Sequence, residues 1–210
     1  CAIQPRMRRI VGIETERLCV RPYRESDLDA LHGLWTDPDV RRYLWDDKII
    51  TRELAADTMH ASMASTVQHG FGHWAVCPAG ADELIGFCGL SLLDDTPDVE
   101  LLYGLAPAHW HRGLASEAAG ALLRFGFESI ALERIYAITD TPNTASAAVM
   151  QRLGMRFEKR FEHHGLDCVR YVMTRVAFRP SDQRYVVRGA QLETERLILR
   201  PPSADDMDGW

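Results

Sequence analysis

Between positions 104 and 116 the chain reads Gly-Leu-Ala-Pro-Ala-His-Trp-His-Arg-Gly-Leu-Ala-Ser. Small residues at Gly113 and Ala115 let a ligand approach the backbone. A helix pattern begins just after them. The amides of His111, Arg112, Gly113, Leu114, Ala115 and Ser116 then sit at a helix's positive end, where unpaired N–H groups suit an anion such as phosphate. Arg112 either adds charge there or is a solvated loop arginine. Upstream, Glu100 interrupts an apolar run, Val99 to Leu105. The two-residue strand period puts it with Leu102 and Gly104, opposite Val99, Leu101, Tyr103 and Leu105. A carboxylate in such a run is costly unless wet or paired. Glu100 is therefore either a base in a cleft, acting directly or through water, or half of a structural ion pair. Tyr103 falls on the other face and reads as core.

These groups must be held by ordinary elements. Val99 to Leu105 reads as a buried strand ended by Pro107, which has no N–H for a ladder. Ala115, Ala118, Ala119, Leu122, Gly126 and Ile130 recur at helical spacing after it. Segment 13–22 reads as a first strand ended by Pro22. Ser26 is placed to cap a helix with Leu28, Leu31, Leu34 and Trp35, and Asp37-Pro38 starts another. A helical stripe over 51–69 stops at Gly70. Strands follow at 71–77 and 83–93, where Gly86 and Gly89 predict a bulge or a close backbone neighbour. A short strand at 134–139 precedes a helix that starts at Asn143, its expected N-cap, and stops at Gly154. A hairpin across Gly165 closes the series. The order is β-α-α-β-β-β-α-β-α-β-β, a mixed α/β fold.

Trp110-x-x-Gly113-x-Ala115 resembles the (Gln/Arg/Trp)-x-x-Gly-x-(Gly/Ala) loop of GNAT-fold N-acetyltransferases. Glu-Leu-Leu-Tyr-Gly-Leu-Ala-Pro at 100–107 and the text of 13–22 resemble the RimJ/RimL-like branch, which usually has glycine where Leu102 stands. The resemblance covers about 11–176. It implies the GNAT fold, a central mixed sheet flanked by helices, and an enzyme moving acetyl from acetyl-CoA to an amine. The histidines, without a His-x-x-x-His helix or a fixed third ligand, predict no metal site. The loop amides would hold the pyrophosphate. A backbone N–H at the strand end, around Leu105 and Ala106, would polarise the thioester carbonyl. Asn143-x-x-Ser146, with Leu153 and Gly154, resembles the family's coenzyme-binding helix start. Asn143 is then a coenzyme ligand. Ser146 is either the thiolate's proton donor or a coenzyme-binding serine. Many relatives carry a tyrosine acid at the position of Met150, which has no proton to give. That leaves an alternative reading, a catalytically weak acyl-CoA-binding module acting as a sensor or as half of a tandem pair.

Composition narrows the classes. The 210 residues carry a net charge of −6, which argues against nucleic acid held on a basic surface. No apolar run approaches the roughly 18 residues of a membrane helix. Five cysteines, an odd number without a Cys-x-x-Cys pair, argue against a disulfide frame or zinc knuckle and suit a cytoplasmic protein. The expected divisions are a tail (1–9), the acetyltransferase domain (10–178), and a polar linker leading into a repeat (179–210). Segment 192–201 matches 13–22 at seven of ten positions, and Asp206 and Asp208 continue the match to Asp27 and Asp29. This predicts the first strand of a truncated second copy. Such a strand could pair with a sheet edge, or swap between molecules to give a homodimer. The acceptor is expected to be a protein N-terminus or a small amine.

Overall fold

A computed structural model describes residues 10–93 and 96–189, with the backbone of 192–193 and 198–199. The tail 1–9 lies outside the described residues, as does most of the repeat. The chain opens with a hairpin where one strand was expected. β1 (Ile10–Glu14) and β2 (Leu18–Pro22) pair antiparallel, with Ile13 opposite Val20. Thr15 makes the turn: its N–H donates to the Leu18 carbonyl at 2.9 Å and its Oγ1 accepts from the Leu18 N–H at 3.1 Å. Those bonds reverse the chain within a segment whose composition suits strand throughout.

Three helices follow, α1 (Leu28–Thr36), α2 (Pro38–Arg41) and α3 (Arg52–His69). Asp27, where Ser26 was expected, is the N-cap residue of α1. Its carboxylate is buried in a two-bond pair with Arg21, at 2.7 and 2.9 Å. Asp37 caps α2 and Thr51 caps α3, each accepting from amides of the first turn.

The sheet then builds inward through β3 (His73–Pro78), β4 (Gly86–Leu92) and β5 (Val99–Leu105), and crosses over α4 (Leu114–Glu128) to β6 (Arg134–Asp140). α5 (Thr144–Arg152) and the hairpin β7 (Arg156–His163) with β8 (Leu166–Thr174) complete the expected series. The strand order is β7-β8-β6-β5-β4-β3-β2-β1-β9, where β9 is Val186–Gly189. β3–β4 and β4–β5 run in continuous register, so Gly86 and Gly89 mark close neighbours and not a bulge. A Cβ on Gly89 would stand 2.3 Å from the Gly72 carbonyl oxygen. On one side of the sheet α4 buries Leu122 and Phe125 against Trp74, Leu90 and Leu101. On the other, α1 and α3 bury Leu31, Trp35 and Met59 over Ala75, Cys77 and Phe87. Among the described residues no helix is long and apolar enough to cross a membrane.

One junction differs from the rest. β5 and β6 are parallel and share a single registered pair, Glu100 with Tyr136. Beyond it the strands part, and a small cavity of about 70 Å³ opens between Leu101–Tyr103, Ile138–Thr139 and α5.

The sheet does not end at the expected boundary of 178. Phe178 stacks on Phe127 with centroids 5.0 Å apart, Arg124 lies 4.6 Å over the Tyr185 ring, and β9 then pairs antiparallel with β1. The supposed linker is a strap across α4. It occupies the outer edge of β1, so the repeated segment does not add to that edge. Leu192–Glu193 instead pairs with Ile198–Leu199 in a separate two-stranded sheet. Its register, Leu192 opposite Leu199 and Glu193 opposite Ile198, reproduces Ile13 opposite Val20 and Glu14 opposite Cys19 in the first hairpin.

Candidate active site

The parted strands open into a cleft of about 1030 Å³ that runs past the start of α4 and along α5. The end where the sequence predicts an anion is set by backbone geometry. A short turn at Pro107–His109 takes the amides of His109 and Trp110, which bond to Ala106 and Pro107 carbonyls. Then His111 and Gly113 both adopt left-handed φ, +58° and +75°, on either side of Arg112. Only glycine holds that conformation without strain. Gly113 is also the N-cap residue of α4 and has no side chain to satisfy the first turn. The first helical bond runs from the Glu117 N–H to the Gly113 carbonyl at 3.1 Å, so the amides of Leu114, Ala115 and Ser116 stay open. His111, Gly113, Leu114, Ala115 and Ser116 all line the cleft.

Arg112 does not. Its side chain is exposed, and only its carbonyl takes part, accepting from Arg17 Nη1 at 2.9 Å. Arg17 supplies the nearby cation in its place. From the turn between β1 and β2 it reaches across to Glu117 of α4, with Nε–Oε2 at 2.7 Å and Nη2–Oε2 at 2.6 Å. The same carboxylate accepts from Thr15 Oγ1 at 2.6 Å and from the Arg17 N–H at 2.9 Å. Burial alone would raise the Glu117 carboxyl; the bonds from Thr15 and Arg17 outweigh it and hold the group below its usual value. This brace ties the first hairpin to the anion loop.

The strand end is fixed as well. Ala106 is not available as a backbone ligand: its N–H donates to the Ile85 carbonyl and its carbonyl accepts from His109. Because successive strand residues point their N–H groups to opposite edges, the Leu105 N–H faces the gap toward β6. The Leu105 carbonyl is held by Trp110 Nε1 at 2.6 Å. Leu105 lines the cleft.

On the far wall Asn143 caps α5, its Oδ1 accepting from the Ser146 N–H at 3.2 Å. Ser146 Oγ lies 3.0 Å from Tyr103 Oη, which also donates to the Ser146 carbonyl at 3.0 Å. The sequence placed Tyr103 in the core. It does lie on the α4 side of the sheet, but the parted strands let its phenol reach across to α5 and line the cleft. Burial pushes its pKa well up, against a smaller lowering from Ser146, so the hydroxyl keeps its proton. Met150, at the position of the missing tyrosine, is buried.

Glu100 is not brought to these residues. It pairs laterally with Ser91 and Tyr136 in the sheet and does not line the cleft. Five residue steps separate it from Leu105, roughly 16 Å of strand. On the side toward α2, Asp39, Tyr43 and Phe87 line the cleft. Trp45 packs edge-on against Trp35, while Asp46 and Asp47 pair with Lys48 and Arg41. Sequence reading missed Thr15, Arg17 and Glu117. A signal was present, since Thr194 and Arg196 of the repeat return the first two.

Comparison with known proteins agrees with this fold. The acetyltransferase (GNAT) domain family matches residues 17–156. An uncharacterized N-acetyltransferase, p20, of Bacillus licheniformis is 31% identical over 145 residues, 69% of this chain and 82% of the relative. The crystal structure of a GNAT-family acetyltransferase from Bacillus anthracis superposes with a TM-score of 0.69 at 28% identity, covering 79% of this chain and 99% of that one. RimL, a ribosomal L7/L12 α-N-protein acetyltransferase solved in complex with coenzyme A, superposes with a TM-score of 0.65. At 19% identity, over 79% of this chain and 97% of its own, it establishes shared fold alone.

Proposed function

The chain belongs to the GNAT acetyltransferase family, and on that premise we propose that it moves an acetyl group from acetyl-CoA to a primary amine, with both substrates bound at once. The observation that carries this reading is the open run of amides from His111 to Ser116, in one cleft with the Tyr103–Ser146 hydroxyl pair. Acetyl-CoA would supply the thioester to be attacked. The amides and the positive end of α4 hold its pyrophosphate. The Leu105 N–H donates to the thioester oxygen as negative charge builds there. The departing sulfur takes a proton from Ser146 Oγ, which Tyr103 Oη can replace along their hydrogen bond. Asn143 orients the pantetheine arm. The amine enters past Asp39 and Tyr43 and must lose a proton; Glu100, set back from the cleft, can accept it only through a chain of waters. The acceptor is a protein N-terminus or a small amine. Among the described residues the free thiols of Cys19, Cys77, Cys88 and Cys168 suit a reducing cytoplasm.

Thiol release from acetyl-CoA across a panel of amines tests the proposal. Release with at least one amine supports it. Calorimetric binding without release for any amine would support the second reading, a coenzyme-binding module; the set-back position of Glu100 favours that reading.

A further inference from the structure

We infer that Arg152 and Arg184 form a second phosphate site beside the loop amides, one that recognises the ribose 3′-phosphate of the coenzyme. The inference rests on the acetyl-CoA reading above. Three arginines from three separate elements line the cleft that runs past the start of α4. Arg17 comes from the opening hairpin and is held by Glu117. Arg152, from the last turn of α5, donates through Nη1 to Ser116 Oγ at 2.9 Å. Arg184 comes from the strap and lies 3.7 Å from Glu14, next to Thr15, whose hydroxyl bonds Glu117. All three line the same cleft as Gly113.

The charges there do not cancel. Glu117 is satisfied by Arg17 and Thr15. Glu14 is held more closely by Arg188, in a two-bond pair at 2.6 and 2.9 Å, so Arg184 is a surplus cation at its edge. Arg152 has no carboxylate partner among the described residues. A protein of net charge −6 thus gathers uncompensated guanidinium groups around a helix start that already favours anions. A pyrophosphate on the amides leaves two forked donors unused. A phosphate monoester, with more charge than either pyrophosphate unit, matches those forks. Arg184 lies beyond the 17–156 span of the family match, on a segment read from sequence as a linker. The Phe178–Phe127 stack and the Arg124–Tyr185 contact fix that segment against α4.

The test compares acetyl-CoA with acetyl-dephospho-CoA, which lacks only the 3′-phosphate, on the full chain and on the double variant Arg152→Ala/Arg184→Ala. The wild-type KM is expected to be about tenfold lower for acetyl-CoA. In the double variant the ratio of the two KM values falls toward one. Calorimetry with CoA and dephospho-CoA gives the same comparison without turnover. Arg184 is 61% exposed and Arg152 is exposed, so the fold is not at stake; a melting curve checks this. A wild-type ratio near one, or a ratio that survives the double substitution, overturns the inference and leaves the acetyl-CoA reading standing. No binding of either coenzyme by the wild type overturns both.

Discussion

Tyr103 shows what strand periodicity can and cannot say about a single residue. The period assigned its face correctly, but the consequence of that face depends on a gap that no local pattern encodes. The parting of β5 from β6 is a tertiary event, and it turns a core position into a wall of the cleft. Tyr103→Phe keeps the ring and removes the proton. It is expected to lower kcat by about ten- to a hundredfold while KM for acetyl-CoA changes little, as steady-state rates would show. An unchanged kcat would return the tyrosine to a packing role. Glu117 carries a different prediction. Its carboxyl sits below its usual value in the fold, so its contribution to stability is present at neutral pH and is lost as pH falls through the lowered value. Glu117→Gln should therefore cost on the order of 1–2 kcal/mol at pH 7. In melting curves taken into acid, below the ordinary carboxyl value of 4.5, the gap between variant and wild type should close.

At the scale of elements, the readable parts were those that announce themselves locally. The helix stripe of α4, the stops at Gly70 and Gly154, the caps at Asp37 and Asn143, and the strand ended by Pro107 follow from side-chain type and spacing alone. The opening hairpin was not readable in that way. Segment 13–22 has strand composition throughout, and the reversal at Thr15 is stabilised by Glu117, about a hundred positions later. The start of α4 lies between these cases: Gly113 was legible as a special backbone position, while the arginine beside it was left open between an added charge and a solvated side chain. Arg112 is adjacent in sequence and turns outward, whereas Arg17 is distant in sequence and adjacent in space. Gly113→Glu tests the element. A Cβ there would stand 3.6 Å from Arg17 Nη2, so the site has room, and the substitution costs about 1 kcal/mol of backbone strain. It sets a carboxylate where the phosphate would lie. Calorimetry should show coenzyme binding lost while the melting transition remains cooperative.

For the whole molecule, the question is which residues after Phe178 belong to the working unit. The strap stacks on Phe127, fills the outer edge of β1 and brings Arg184 to the cleft, so on the proposed reading both stability and coenzyme affinity should depend on it. The repeat beyond it stands differently. It retains Thr194, Arg196, Arg200 and Asp206, counterparts of the residues that in the first hairpin reach Glu117 or form the buried Arg21–Asp27 pair. Glu117 is already saturated by Thr15 and Arg17, so it offers no further place for those counterparts. Two truncations separate strap from repeat. Removing 190–210 leaves β9 in place and should change neither the melting temperature nor the mass in solution, since the first hairpin's edge is already filled from within the chain. Removing 178–210 uncovers Phe127 and the β1 edge. It should lower stability by a few kcal/mol and raise KM for acetyl-CoA. If the shorter truncation instead converted a dimer to a monomer, the repeat would be exchanging between molecules, and the separation of strap from repeat drawn here would be lost.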